Sequence, residues 1–230
     1  MKSLTTVLFF LLAAWSVQAQ SCRDAVDFFK EGALLEYTNY DGKGKGQSVV
    51  QQTVRSLQEN RDTLTALVDV KSFDNKGKET FNNSFPIKCH LGNIYMDMRS
   101  MVPNQMAAGT NAAAQVEITG SDLIFPSDMQ PGQTLPDSDM KVKMSMNGMQ
   151  LMSTDVRMYN RKVAAKESLT TPAGTFDCIK LTYNIEVKLM GTRTSYCEFW
   201  YAKKVGTVKS VTFDKKGDVE SRMELTKFKS

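Results

Sequence analysis

Methionine thioethers are the most numerous groups in this sequence that could do chemistry. The chain has 230 residues and 14 methionines, and most of these fall between Met96 and Met158. Met144, Met146 and Met149 are spaced as Met-x-Met-x-x-Met, and thioether sulfur is a soft ligand that suits Cu(I). Copper(I) binding is therefore one hypothesis for this stretch.

The same methionines also suit an apolar role. Met is an adaptable filler of irregular apolar space, and large aromatics such as Trp and Tyr anchor β cores. Ordinary core packing is the first expectation, a lipid or other apolar small molecule held under a curved sheet is the second, and copper is the third. The candidate ligand-lining residues are Met144, Met146, Met149, Leu151, Trp200 and Tyr201.

Enzymatic chemistry has little support in the sequence. His90 is the only histidine and follows Cys89 directly, and neighbours on a strand point to opposite faces of a sheet. This pair is therefore not a nucleophile with its base, and neither a G-x-S-x-G motif nor zinc-ligand spacing occurs. We predict a protein that is not an enzyme and needs no metal or cofactor. A hydrolase with an unrecognised carboxylate site is the alternative.

Four cysteines could form two disulfides. They are Cys22, Cys89, Cys178 and Cys197. If a hairpin turns near Gly191, Cys197 lies opposite Ile185, too far along the ladder to reach Cys178. We therefore expect Cys178 and Cys197 each to bridge to the N-terminal half.

The N-terminus is typical of a secretory signal peptide. Lys2 precedes an apolar run over residues 7–14, and cleavage is expected after Ala19, which divides the chain into residues 1–19 and a single domain of residues 20–230. An exported protein, periplasmic or extracellular, is the prediction. A lipid anchor on Cys22 is the minority alternative.

Charge and hydropathy argue against nucleic-acid binding and against a membrane-spanning helix. The net charge of +4 is mild, and no basic stripe with interleaved aromatics indicates nucleic-acid binding. No segment after the leader approaches the length of a transmembrane helix.

Alternation of apolar and polar residues predicts strands through most of the chain. Residues 149–158 and 163–170 are predicted as two strands, Asn147-Gly148 as a hairpin turn, and residues 101–114 as a long loop. Three aromatic-Asp-x-Lys-Gly motifs indicate similar turns, with Asp as the cap and Gly in the left-handed region. They begin at Tyr40, Phe73 and Phe213. The expected fold is all-β: a curved antiparallel sheet (roll, half-barrel or sandwich) with at most a short N-terminal helix over residues 23–30.

Two longer motifs suggest a family. Residues 171–178 read T-P-A-G-T-F-D-C and residues 200–209 read W-Y-A-K-K-V-G-T-V-K. Together with G-Q-T-L-P-D at residues 132–137 and N-R-K-V at residues 160–163, this pattern resembles the TapB-like family of exported bacterial proteins of unknown function. The resemblance implies a β-rich exported protein and brings no catalytic residues. An exported, non-catalytic protein that binds a hydrophobic ligand or an envelope partner is the resulting expectation.

Overall fold

Thirteen antiparallel strands form one sheet in the computed structural model, which describes residue 22 and residues 28–101 and 114–230. The strands are β1 (Leu34–Asp41), β2 (Gly46–Asn60), β3 (Thr63–Asp74), β4 (Glu79–His90), β5 (Asn93–Asp97), β6 (Ala114–Gly120), β7 (Asp122–Phe125), β8 (Ser138–Met146), β9 (Met149–Thr171), β10 (Gly174–Lys188), β11 (Thr192–Ala202), β12 (Gly206–Phe213) and β13 (Val219–Lys229). A 3-10 turn, Met98–Met101, follows β5. The all-β prediction is confirmed. The predicted signal peptide, and most of the predicted N-terminal helix and of the long loop, lie outside the described residues.

The sheet curls until its two edge strands meet. Its order is β6-β8-β9-β10-β11-β12-β13-β1-β2-β3-β4-β5-β7, so the edges, β6 and β7, are consecutive in the chain and are joined through Ser121. The Ser121 backbone N–H donates to the Asp139 carbonyl of β8 over 2.9 Å. A Cβ atom on Gly120 would lie 2.5 Å from the same carbonyl oxygen, so only glycine allows this approach. The result is a nearly closed barrel.

The three aromatic-Asp-x-Lys-Gly motifs form the turns that the sequence predicts. Asp41 Oδ1 accepts backbone N–H groups from Lys43 and Lys45, at 3.0 and 2.9 Å. Asp74 and Asp214 do the same in their own turns. Gly44, Gly77 and Gly217 have φ values of 81°, 80° and 85°, a region that glycine enters without strain. These turns close the β1–β2, β3–β4 and β12–β13 hairpins.

Strand β9 corrects one prediction. The two strands expected over residues 149–158 and 163–170 are a single strand of 23 residues that runs through to Thr171. Between Tyr159, which lies opposite Asn184, and Lys162, which lies opposite Thr182, the strand carries one extra residue. Asn160 there has φ of 54°. A β-bulge therefore replaces the predicted break, and a bulge redirects the side chains next to it.

Inward-facing apolar side chains from all round the barrel make up the core. The most deeply buried include Leu35, Tyr37, Val54, Val68, Val163, Val208 and Leu225. Side chains of this kind each stabilise the fold by roughly 1.5–3 kcal/mol when they leave water. Their alternation with outward residues along each strand explains why the pattern was readable in the sequence.

One disulfide is present where two were predicted. Cys22 is bonded to Cys89, whereas Cys178 and Cys197 are buried free thiols. The expectation that both C-terminal cysteines bridge to the N-terminal half is wrong. Cys197 lies opposite Tyr183 rather than the predicted Ile185, and this still leaves Cys178 five residues further along the ladder. At about 3.3 Å per residue that distance is too long for a bridge, as expected.

Candidate functional site

The core does not fill the barrel completely. A cavity of about 190 Å³ lies inside it, beside the place where the two edges of the sheet meet. Its apolar walls are Met96, Leu123, Phe125, Met158, Leu181 and Phe199. Its polar groups are few: Arg161, Tyr183 and Thr207. An apolar cavity with a small number of polar groups is the usual form of a small-molecule site.

The bulge on β9 places Arg161 at this cavity. Arg161 lies within the bulge, opposite Tyr183 of β10, and is only 3 % exposed. One guanidinium nitrogen donates to the Pro136 carbonyl over 2.6 Å and another donates to the Ile124 carbonyl of β7 over 2.9 Å. Arg161 therefore reaches from β9 to the opposite edge of the sheet, and it also borders the cavity.

The Arg161 cation has no carboxylate beside it. Among the described residues, no Asp or Glu lies within ion-pair distance of it; the nearby Asp137 pairs instead with the exposed Arg157 over 2.8 Å. Burial lowers the pKa of the Arg161 guanidinium, while Tyr183 and Asp137 act in the opposite direction. Arginine remains protonated in proteins even so, and a positive charge therefore stands in an apolar wall.

The other polar groups near Arg161 are neutral. Burial raises the pKa of the Tyr183 phenol, and the Arg161 cation only partly opposes this effect. Burial also raises the pKa of the Cys197 thiol, which lies 3.8 Å from the Thr212 hydroxyl. A thiol that stays protonated is a poor nucleophile. The cluster can therefore bind and orient a molecule, but it offers no activated base.

A second, smaller chamber adjoins the first. It measures about 70 Å³ and shares Met96, Phe125 and Thr207 with the larger cavity. Phe125 stacks on Phe199 and on Tyr201, with ring centroids 5.7 and 5.2 Å apart. The Tyr37 hydroxyl donates to the Thr207 carbonyl over 3.1 Å. Met96 and Phe125 thus form a partition between two apolar chambers.

The predicted lining residues are divided between different parts of the structure. Tyr201 borders the smaller chamber. Trp200 faces away from it, where the indole N–H donates to the Glu167 carboxylate and the Lys180 and Lys209 ammonium groups lie 4.9 and 5.7 Å from the ring centroid. The charged side chains around Trp200 explain its burial on the outer face of the barrel.

The methionine hairpin lies away from the described cavities. Met146, Met149 and Leu151 are 38 %, 71 % and 56 % exposed at the end of the β8–β9 hairpin. Met144 lies opposite Met152, and Met146 lies opposite Met149. Ligand or copper(I) binding by these residues stays a prediction. The residues that line the larger cavity were not among the predicted site residues. Only the alternation along the strands indicated that their side chains face inward.

His90 lies at the surface of the barrel, and Cys22 is held in a disulfide. His90 is exposed, with Nδ1 3.0 Å from the Thr63 hydroxyl, and its neighbour Cys89 is in the disulfide. The sulfur of Cys22 is bonded to Cys89, and a lipid anchor on Cys22 stays a prediction. Within residues 28–101 and 114–230 and at residue 22, no cluster of three or more His, Cys, Asp or Glu side chains could hold a metal ion. The same part of the chain contains no helix long and apolar enough to cross a membrane.

Comparisons with known proteins give the class of fold first. A protein of Bacteroides fragilis NCTC 9343 that has a YmcC-like fold and is hypothesised to be exported is 22% identical, with a TM-score of 0.70 over 87% of this chain and 97% of that one. A protein of Parabacteroides distasonis ATCC 8503 that is hypothesised to be a lipoprotein is 24% identical, with a TM-score of 0.72 over 91% of this chain and 100% of that one. At such identities the likeness shows the fold alone.

Residues 30–225 match the family described as DUF3108-like, and the chain belongs to that family. No curated protein is detectably similar in sequence to this chain. The match covers nearly all of the predicted mature chain. The narrower TapB-like relationship stays a prediction.

Proposed function

We propose that this protein is an exported, non-catalytic binding protein that holds a small apolar molecule in the larger cavity of its barrel. The observation that carries the proposal is the cavity of about 190 Å³, which the packed core leaves between the apolar side chains of Leu181, Met158 and Phe199. An apolar cavity of roughly 150 Å³ in another protein binds benzene, so this one has room for a single ring or a short chain.

Export is part of the proposal. The leader over residues 1–19 supports it, as do the exported and lipoprotein hypotheses for the two proteins of similar fold. The Cys22–Cys89 disulfide is also of the kind that persists in oxidising compartments. A non-catalytic role fits the neutral Tyr183 phenol opposite Arg161 and the neutral Cys197 thiol beside that phenol.

Methyl NMR of methionine tests the proposal inside one molecule. Met96 and Met158 line the cavity, whereas Met149 is exposed on its hairpin and Met190 is fully exposed at another hairpin end. With ¹³C-methyl methionine and toluene as the probe, we expect saturable shifts at Met96 and Met158 and none at Met149 or Met190. Shifts confined to the exposed methionines, or no saturable shift at any methionine, would overturn the proposal.

A pair of variants on one strand controls for non-specific effects. Met158→Trp fills the larger cavity and should abolish the toluene shift at Met96. Met149→Trp adds the same side chain at an exposed position of β9 and should leave that shift unchanged. Equal effects of the two variants would contradict binding in the barrel interior.

An envelope partner is the second candidate, on the strength of a different observation. Met149, Leu151, Leu189 and Met190 are exposed at the ends of the β8–β9 and β10–β11 hairpins, which neighbour each other in the sheet. Exposed apolar side chains at neighbouring hairpin ends can mark an interaction site. A photo-crosslinking amino acid at Leu189 should capture an envelope protein in cells, whereas one at Val219, also exposed but on β13, should not. The absence of a product specific to Leu189 would exclude this candidate.

A further inference from the structure

Placing the Arg161 guanidinium in the wall of an apolar cavity costs free energy. Transferring a guanidinium out of water costs several kcal/mol unless its charge and its N–H groups find partners. The guanidinium has five N–H groups, and the structure gives it two carbonyl acceptors, those of Pro136 and Ile124. The Phe125 ring, whose centroid is 5.7 Å from the guanidinium carbon, and the more distant Asp137 carboxylate also act on the charge, but no carboxylate of the described residues forms an ion pair with it.

Closing the sheet does not by itself require this charge. The contact with Ile124 joins β9 to the edge strand β7, and a neutral amide could donate the same hydrogen bond. A full positive charge that borders a cavity, without a carboxylate partner, has a further use. Such a charge is available to complement an anion that enters from outside.

The surroundings of Arg161 could accommodate a negative charge. Tyr183 faces it across the bulge, and its phenol stays protonated because burial raises the pKa of that group. A neutral phenol can donate its proton in a hydrogen bond to an oxyanion. The remaining walls, among them Leu181 and Phe199, are apolar and suit a hydrocarbon body.

We propose that the ligand is a small apolar carboxylate whose carboxylate group pairs with the Arg161 guanidinium and whose ring or short acyl chain fills the cavity. The inference rests on the proposed function. A carboxylate is favoured over a phosphate monoester because a single negative charge is less costly to transfer into an apolar cavity than a double one. Arginine also matches the planar carboxylate geometry through parallel N–H groups.

Three probes on the unmodified protein separate this inference from the proposed function. Toluene, benzamide and benzoate have the same ring, and benzamide and benzoate differ mainly in charge. We expect benzoate to bind at least tenfold more tightly than benzamide, since a hydrogen bond to a charged group contributes about 1.5–3 kcal/mol, or roughly 10- to 150-fold. Toluene binding without a preference for benzoate would overturn the inference and leave the proposed function standing. Binding of none of the three would overturn both.

Matched substitutions then test whether the positive charge of Arg161 binds the benzoate carboxylate. Arg161→Met should weaken benzoate binding by about 10- to 100-fold and leave toluene binding nearly unchanged. Arg157→Met removes a guanidinium four residues away on the same strand, exposed and paired with Asp137, and should change neither. If Arg161→Met does not fold, Tyr183→Phe keeps the cation and is expected to weaken benzoate, not toluene, by several-fold. Equal losses of benzoate affinity in Arg161→Met and Arg157→Met would contradict the proposal.

Discussion

Trp200 and Arg161 illustrate how little a residue type alone says about its use. Both are large side chains that the structure buries, and Trp200 was the more obvious ligand candidate. Its ring instead packs among the charged side chains of Lys180, Lys209 and Glu167 on the outer face. Arg161 is the residue that lies at the cavity. In the sequence, Arg161 stood out only as part of the N-R-K-V motif at residues 160–163.

At the residue scale, Trp200→Phe should reduce stability without affecting the cavity. The change removes the indole N–H that donates to Glu167 and part of a buried ring, so we expect a loss of about 2 kcal/mol in the free energy of unfolding. Urea denaturation measures this loss. An altered toluene response at Met96 would show instead that Trp200 belongs to the binding site.

A second residue-scale prediction concerns the turn aspartates. Backbone N–H groups, first that of Asp218 and then that of Lys216, hold the pKa of Asp214 below its usual value. A carboxyl group with a lowered pKa in the folded state stabilises the protein above its unfolded-state pKa, and this contribution is lost as the pH falls through the folded-state value. Asp214→Asn should therefore be less stable than the parent protein at neutral pH and equally stable in strong acid. A difference that persists in acid would contradict the assigned role of the charge.

At the scale of elements, the bulge on β9 links local backbone geometry to the site. Asn160 has a positive φ, and without the extra residue Arg161 would follow the regular alternation of the strand. The bulge therefore explains why the Arg161 guanidinium borders the cavity. It also explains why the alternation of apolar and polar residues is interrupted between residues 158 and 163. A single sequence gives no signal that distinguishes a bulge from a loop at this point.

Substitutions at Asn160 should separate backbone strain from chemistry. Asn160→Val forces a β-branched residue into the left-handed region, so we expect a cost of about 1–2 kcal/mol and weaker benzoate binding. Asn160→Gly accepts the same φ and should keep both stability and benzoate affinity near those of the parent protein. Thermal unfolding and benzoate titration measure the two effects. Equal behaviour of Val and Gly at this position would mean that the bulge does not position Arg161.

At the scale of the whole molecule, closure of the barrel depends on the junction between β6 and β7. Gly120→Ala would bring a Cβ atom to 2.5 Å from the Asp139 carbonyl oxygen and push the sheet edge away. We expect faster hydrogen exchange at the Ser121 amide, which donates to that carbonyl. Gly191→Ala is the control, because a Cβ atom there meets no atom within 4 Å. Unchanged exchange at Ser121 in the Gly120 variant would rule out this junction as the closing contact.

Thiol chemistry gives a second test at this scale. Cys178 and Cys197 are free and buried, and burial raises the pKa of Cys178 to about 11. The folded protein should therefore resist alkylation, and denaturation without reductant should expose two reactive thiols. Reduction should add two more thiols, from Cys22 and Cys89, and lower stability by roughly 4 kcal/mol through the lost loop constraint. Four protected cysteines in the denatured, unreduced protein would restore the two-disulfide prediction.

The sequence predicted the strands well and the site poorly, for one physical reason. Strand alternation and the Asp-x-Lys-Gly turns depend on neighbouring residues, so they are visible along the chain. The cavity joins residues of strands distant in the chain, such as Met96 of β5 and Phe199 of β11. Whether Cys178 and Cys197 form disulfides likewise depends on three-dimensional distances that alternation does not encode.

A crystal structure of the protein with 4-bromobenzoate is the decisive experiment for carboxylate binding at Arg161, because anomalous scattering locates the bromine atom directly. We expect one strong bromine peak in the larger cavity, between Leu181 and Phe199, with carboxylate oxygens about 2.7–2.9 Å from Arg161 guanidinium nitrogens. Bromine only at the exposed hairpin around Met146 and Met149, or an unoccupied cavity at saturating ligand, would contradict it.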